Sequence, residues 1–188
     1  MTSVIADYFE KHIQILASVG QTLEPAINEC AALVLDALGN GNKVLVMGNG
    51  GSAADAQHFV SELVGRFRRE RKGLPAIALT TDTSALTAIS NDYGFDHVFS
   101  RQVEALAEAG DVVFGLSTSG NSRNVLVALR TAKDLGCRTV GLLGKGGGEI
   151  AGEVDLPIVV QARETSHIQE AHIVVIHVLC ELIESSCA

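Results

Sequence analysis

The chain has 188 residues, the size of a single domain, and 47% of them are hydrophobic, so it can bury a substantial core. Its 14 Lys and Arg against 22 Asp and Glu give a net charge of −8, which disfavours a protein that binds nucleic acid by neutralising phosphates. Aromatic residues make up only 4% and Trp is absent, which disfavours a stacking platform for single strands.

The sequence shows no sign of secretion or membrane insertion. Charged residues such as Asp7 and Glu10 lie among the first apolar residues, unlike the basic and then apolar order of a signal peptide. The longest apolar stretch, 173–180, is interrupted by His177 and is far shorter than the ~20 residues of a membrane span. No two cysteines have CxxC spacing. We therefore expect a cytoplasmic protein with reduced thiols at Cys30, Cys137, Cys180 and Cys187.

The first predicted elements are helices over residues 3–38. Apolar residues recur there at helical spacing on both sides of Pro25, and the Gly-Asn pairs of residues 39–42 end the pattern. These helices precede every predicted strand. Their apolar stripe needs a surface to pack on, and either a partner subunit or the chain's own sheet would provide one.

From residue 43 onward, short apolar runs alternate with helical segments. Runs that are almost continuous in Val, Ile, Leu and Ala are typical of parallel strands buried on both faces. Alternating strands and helices predict an α/β three-layer sandwich with a five-stranded parallel sheet, in one domain over 1–188 with its core at 43–185. The predicted strands are 43–47, 76–80, 111–116, 139–143 and 156–160, and the predicted helices are 51–69, 83–90, 96–108, 122–136 and 167–185.

Two loops rich in Gly and hydroxyl residues follow the first and third predicted strands. Loop 1 comprises residues 48–52 (Gly-Asn-Gly-Gly-Ser), and loop 2 comprises residues 117–122 (Ser-Thr-Ser-Gly-Asn-Ser). Each opens a helix, where free backbone N–H groups favour an anion, and the hydroxyls of loop 2 can donate hydrogen bonds to a phosphate. Loop 1 is alternatively a dinucleotide-binding turn with Asp82 as the ribose acid, and loop 2 is alternatively a simple helix cap.

Two helices carry residues suited to acid–base or metal chemistry. His58, Glu62 and Arg66 have i, i+4 spacing on the predicted helix 51–69, which is also the spacing of an exposed ion-pair ladder. The last helix carries the amide of Gln169 and the imidazoles of His172 and His177. His172 is i+3 from Gln169 and the nearer of the two, so spacing alone does not favour His177 over His172 as its partner in a site.

Four segments in this order, GNGGSAADAQHFVSEL, SNDYGF, STSGNS and IQEAHIVVIH, resemble the sugar isomerase (SIS) domain family, and within it the phosphoheptose isomerases. The resemblance runs almost end to end. It implies a Rossmann-like fold and an enzyme that converts sedoheptulose 7-phosphate to D-glycero-D-manno-heptose 7-phosphate through an enediol. This reaction would be the first step toward nucleotide-activated heptose for lipopolysaccharide or another surface glycan. It also implies a homotetramer with sites between subunits, which would account for the unpartnered helices.

The resemblance also implies roles for individual residues. Glu62 and His177 match the family's acid–base pair, and which of them accepts the carbon proton stays open. One Zn²⁺ per subunit would be held by His58, Glu62, Gln169 and His177. The residues that match the substrate site are Asn49, Gly50, Gly51, Ser52, Glu62, Arg66, Asn91, Asp92, Ser117, Thr118, Ser119, Ser122 and Gln169.

The sequence departs from the family at one position and leaves two other functions open. His167 stands where the family often has Arg before the Ile-Gln-Glu motif. The same fold includes a non-catalytic scaffold that associates with the bacterial replication initiator, but that relative lacks counterparts of Glu62 and His177. Isomerisation of another phosphosugar is the second alternative, since no residue fixes a chain of seven carbons.

Overall fold

The computed structural model describes residues 3–186 and confirms the three-layer α/β architecture with a five-stranded parallel sheet. The strands are β1 (Val44–Gly48), β2 (Ala76–Ala78), β3 (Val112–Ser117), β4 (Arg138–Gly144) and β5 (Leu156–Val160). The helices are α1 (Val4–Thr22), α2 (Glu24–Gly39), α3 (Gly51–Val64), α4 (Thr83–Tyr93), α5 (Ser100–Leu106), α6 (Arg123–Asp134) and α7 (Thr165–Ser186), with 3-10 turns at Phe95–His97 and Ile150–Gly152.

Both faces of the sheet are buried, as the apolar runs predict. Alternate residues of β1 enter different cores: Val44 and Val46 pack with α2, α3 and α7, whereas Leu45 and Met47 pack with α5 and α6. In the first core, the ring of Phe59 meets that of Phe114 edge-on at 5.3 Å. The sheet thereby fixes α3 and α7 side by side on one face.

The strand order is β2-β1-β3-β4-β5, and all described pairings are parallel. The chain leaves β1 toward β2 on one side and later returns to β3 on the other side. The carboxyl ends of β1 and β3 therefore form the point where the winding direction reverses, and ligands of open α/β sheets bind at such points. Loops 1 and 2 both begin there.

The predicted helix 51–69 is too long, because α3 ends at Val64 and Gly65 is its C-cap. Beyond it, the guanidinium of Arg71 donates to the terminal carbonyls of Glu62 (2.7 Å) and Leu63 (2.9 Å). Arg71 also lies 3.3 Å from the buried carboxylate of Glu184, which accepts three backbone N–H bonds from residues 67–69. These tertiary contacts stabilise a turn where helical propensity alone favours continuation.

The N-terminal segment forms two helices that separate at Leu23, with Pro25 in the first turn of α2, where proline is tolerated. α2 buries five side chains, but α1 buries only Val19. The side chains of Val4, Ile5, Phe9 and Ile13 remain 61–83% exposed. The chain's own sheet therefore covers α2 and leaves the apolar stripe of α1 open.

α7 is the one helix within residues 3–186 whose length and composition would let it cross a membrane. Half of its apolar stretch is buried in the protein, and it packs against α2 and α3, as the core helix of a folded domain does.

The cysteines that the structure describes are free and buried, at Cys30, Cys137 and Cys180, whereas Cys187 lies outside the described residues. Burial raises the pKa of each thiol, to about 11 for Cys137 and to about 12 for Cys180. These thiols are therefore poor nucleophiles and poor candidates for the chemistry of the site.

Candidate active site

Loops 1 and 2 are tied together at the carboxyl edge of the sheet. The side-chain amide of Asn49 in loop 1 exchanges two hydrogen bonds with that of Asn124 in α6, at 2.8 and 2.9 Å. Asn124 is buried and also accepts a bond from the backbone N–H of Val125. Sequence reasoning missed Asn124, although an amide two residues after a hydroxyl-rich loop could have drawn attention to it.

The hydroxyls of loop 2 face one another instead of capping α6. Ser117 Oγ lies 2.8 Å from Ser122 Oγ and 3.4 Å from Ser119 Oγ. Ser122 occupies the N-cap position, yet its side chain makes no capping hydrogen bond. This disagrees with the simple capping interpretation and leaves the hydroxyls and the helix N-terminus available to an anion.

Loop 2 also needs its glycine. Gly120 has a φ of 67°, a region that side chains other than glycine disfavour. A Cβ there would lie 2.1 Å from the carbonyl oxygen of Gly147. Gly120 thus allows loop 2 to pass directly against the loop after β4.

Gln169 at the start of α7 reaches loop 1. Its amide lies so close to Gly51 that a Cβ at that position would approach Nε2 to 2.2 Å. Only glycine at position 51 therefore allows the amide to reach the first turn of α3. The contact places Gln169 beside Gly51 of loop 1, and a shared role of the two in substrate binding stays a prediction.

His58, Glu62 and His177 converge between α3 and α7 of one chain. His58 Nε2 lies 3.1 Å from Glu62 Oε1 and 3.2 Å from His177 Nε2. The ring of Phe67 stacks on that of His177 at 5.7 Å. A contribution of His58 and His177 from different subunits is therefore not needed to bring these two imidazoles together.

Burial lowers the pKa of His177 below its ordinary value, and the nearby His58 lowers it further, while Glu62 opposes the shift. His177 is therefore held mainly as the neutral imidazole near pH 7. In that form it can accept a proton or bind a metal ion.

His172 is a core residue. It is fully buried, and its Nε2 lies 3.1 Å from the carbonyl oxygen of Leu143. Burial lowers its pKa to about 4, so it is neutral in the folded protein. The structure thus buries the imidazole that spacing put nearer to Gln169, and it is His177 that meets His58.

Gln169 and His58 lie at different ends of the α3–α7 interface. Gln169 contacts Gly51, which is seven residues or about 10 Å of helix rise before His58. Within one chain, three of the four predicted zinc ligands therefore meet and Gln169 stands apart. Its role as a ligand stays a prediction.

Arg66 does not share a helix face with Glu62, since it follows the end of α3. Its side chain is 58% exposed and lies 3.7 Å from Glu70. The predicted ladder of His58, Glu62 and Arg66 is therefore wrong at its third member, and a contact of Arg66 with substrate stays a prediction.

Three other candidate residues lie at the two ends of α4. Asp82 is the N-cap of α4 and accepts a bond of 2.9 Å from the backbone N–H of Ala85, a structural role that accounts for its position after β2. Asn91 and Asp92 are exposed at the other end of the helix and hydrogen-bond each other at 2.8 Å. Within residues 3–186, no hydrogen bond links either of them to loops 1 and 2.

A second polar cluster joins α1 to α7, and the sequence did not reveal it. The donor atoms of His12, His167 and Glu170 lie within 4.8 Å of one another, as the ligands of one metal ion do. His167 and Glu170 have i, i+3 spacing, which is a local signal, but His12 is distant in sequence. This metal-competent triad is separate from the predicted zinc ligands.

Comparison with known proteins identifies the family of the chain. Residues 7–144 match the SIS domain family. The phosphoheptose isomerase of Geotalea daltonii is 61% identical over 184 residues, covering 98% of this chain and 96% of that protein.

Two solved structures share the fold along nearly the whole chain. The phosphoheptose isomerase of Neisseria gonorrhoeae has a TM-score of 0.92 at 47% identity, covering 96% of this chain and 97% of the other. That of Francisella tularensis has a TM-score of 0.95 at 41% identity, covering 98% and 100%. Sequence and fold thus agree with those of these relatives, and the chain belongs to the phosphoheptose isomerases of the SIS domain family.

Proposed function

We propose that this chain is an aldose–ketose isomerase that converts sedoheptulose 7-phosphate to D-glycero-D-manno-heptose 7-phosphate. The observation that carries the proposal is the meeting of His58, Glu62 and His177 in a chain 61% identical to a phosphoheptose isomerase. The product would enter the synthesis of nucleotide-activated heptose for lipopolysaccharide or another surface glycan.

Isomerisation moves a proton between C1 and C2 of the sugar and another between their oxygens. Each transfer needs a side chain that gains and loses a proton near working pH. Glu62 supplies a carboxylate, and His177 supplies an imidazole that is neutral near pH 7. One of the pair takes the carbon proton to give an enediol, and the other transfers the proton between the oxygens of C1 and C2.

Loop 2 would hold the sugar phosphate far from the reacting carbons. The hydroxyls of Ser117, Thr118, Ser119 and Ser122 can donate hydrogen bonds, and the N-terminus of α6 adds backbone N–H groups. No cationic side chain is required, which suits an acidic protein. Binding energy at the phosphate would position C1 and C2 against Glu62 and His177.

The same imidazoles and carboxylate fit a zinc ion. Two ligand atoms bonded to one tetrahedral zinc lie about 3.3 Å apart, and the separations around His58 Nε2 are 3.1 and 3.2 Å. Histidine nitrogen and carboxylate oxygen are common zinc ligands, and the amide of Gln169 is a less common one. A bound zinc ion would polarise the carbonyl and stabilise negative charge on oxygen.

The proposed assembly is a cytoplasmic homotetramer without nucleic-acid or membrane partners. The exposed apolar stripe of α1, formed by Val4, Ile5, Phe9 and Ile13, supports contact with further copies of the chain. Sites between subunits would bring Asn91, Asp92 and Arg66 of one chain toward loops 1 and 2 of another.

The test is to incubate the purified chain with sedoheptulose 7-phosphate and follow the aldose product, with chelator and with ZnCl₂ restored. We expect turnover that falls with chelator and returns with zinc. Turnover that is insensitive to chelator would support the isomerase function and refute a requirement for a metal ion. A folded tetramer without turnover in any condition would refute the isomerase and favour the scaffold function.

A further inference from the structure

The cluster of His12, His167 and Glu170 lies between α1 and α7, away from the proposed catalytic residues. His12 Nδ1 is 2.8 Å and His167 Nδ1 is 2.9 Å from the same carboxylate oxygen, Glu170 Oε2. Glu170 and His177 are separated by seven residues, or about 10 Å of rise along α7. The cluster is therefore too far from His58 and Glu62 to share one ion with them.

The geometry at His12 is unusual for a hydrogen bond. Its Nδ1 is buried and lies 2.8 Å from Glu170 Oε2, yet it has no partner with hydrogen-bond geometry. A buried polar atom without a partner costs free energy unless another group satisfies it. His167 Nδ1 hydrogen-bonds the same oxygen at 2.9 Å, so His12 Nδ1 is the nitrogen that a bound metal ion would satisfy.

The surroundings support a metal ion at this place. His167 is only 2% exposed, and the ring of Tyr8 packs against it at 4.3 Å. The hydroxyl of Tyr8 donates a 2.6 Å hydrogen bond to Glu170 Oε1, the oxygen that does not contact the imidazoles. Outer hydrogen bonds of this kind orient a carboxylate ligand.

We propose that His12, His167 and Glu170 form a second metal site, which takes a divalent transition metal of the zinc class and fastens α1 to α7. Two imidazoles and one carboxylate, with water completing a tetrahedron, suit zinc and its neighbours better than magnesium or calcium. α1 otherwise buries only Val19, so the ion would hold the half of α1 that has few contacts of its own.

The first test counts metal in the full-length chain. His58→Gln/His177→Gln removes the other candidate site and serves as the background. After equilibration with ZnCl₂ and dialysis, we expect elemental analysis to find one zinc per chain in this background. Adding His12→Gln or His167→Gln should abolish it. The matched control, His97→Gln, replaces an exposed histidine and should leave the count unchanged.

Two outcomes would overturn the proposal. Either the background variant retains no zinc, or His12→Gln and His167→Gln leave its zinc count unchanged. In the first case the cluster is only a hydrogen-bond network, and in the second the ion is bound elsewhere. Neither result depends on isomerase activity, so the proposed function is tested separately.

A second readout addresses variants that fail to fold. Tyr8→Phe keeps the packing of the ring and removes only its hydrogen bond to Glu170. We expect it to weaken zinc binding of the background variant by about 10-fold in a calorimetric titration. Unchanged affinity would contradict the role of Tyr8 in orienting Glu170. If, in addition, zinc did not raise the melting temperature of the background variant, the metal site would be refuted.

Discussion

At the residue scale, Glu62 and His177 have the chemistry of a proton-transfer pair and the structure brings both to His58. Acid–base catalysis by one such group contributes about 10²–10⁴-fold to a rate. We therefore expect Glu62→Gln and His177→Gln each to lower kcat by at least about 10²-fold while circular dichroism stays unchanged. Glu70→Gln, which alters an exposed carboxylate, is the control. Near-normal turnover in both variants would contradict the assignment.

Loop 2 permits a separate prediction at the residue scale. Loss of one hydrogen bond to a charged group costs about 1.5–3 kcal/mol. Thr118→Ala and Ser119→Ala should therefore raise KM for the phosphosugar by about 10-fold or more, with a smaller effect on kcat.

The comparison substrate is sedoheptulose without its phosphate. The wild-type chain should turn it over poorly, and the two loop variants should not lower that residual rate further. Equal rates on the two sugars would show that loop 2 does not anchor a phosphate.

At the element scale, His172 fixes α7 to the end of β4 through the carbonyl oxygen of Leu143. Burial lowers its pKa to about 4, whereas in the unfolded chain the value is about 6.5. Between these values the unfolded state binds a proton that the folded state does not. The free energy of unfolding should therefore decrease as pH falls from 6.5 to 4, by up to about 3 kcal/mol per chain.

Urea unfolding across this pH range checks the prediction. The curve for His172→Gln should be flatter than that of the wild type, because glutamine can donate to Leu143 without titrating. His97→Gln, at an exposed histidine, should parallel the wild type. Parallel curves for wild type and His172→Gln would assign the acid sensitivity to other groups.

At the scale of the whole molecule, α1 presents an apolar stripe that the chain does not cover. Phe9 and Ile13 are 61% and 64% exposed, so charge at these positions leaves the core intact. We expect Phe9→Glu/Ile13→Glu to dissociate the proposed tetramer, measured by light scattering during gel filtration. Activity should fall with it if the sites lie between subunits. Gln14→Glu adds one negative charge outside the stripe and should preserve the assembly.

The sequence by itself determined the fold and the place of the two loops at the carboxyl edge of the sheet. Continuous apolar runs in β1, β3, β4 and β5 have the signature of doubly buried parallel strands, and their bounds differ from the prediction by one residue or none. Loops 1 and 2 were predictable for the same reason: the carboxyl ends of adjacent parallel strands meet at one edge.

Only the tertiary structure decided which side chains meet. Both His172 and His177 lie on α7, and the rotation of that helix against α3 and β4, rather than spacing, sends one into the core and the other to His58. The end of α3 depends on Arg71 and Glu184, a contact across more than a hundred residues that no local pattern records. The link from His12 to Glu170 is likewise made by packing of α1 on α7, because residues distant in sequence become neighbours only when the helices dock.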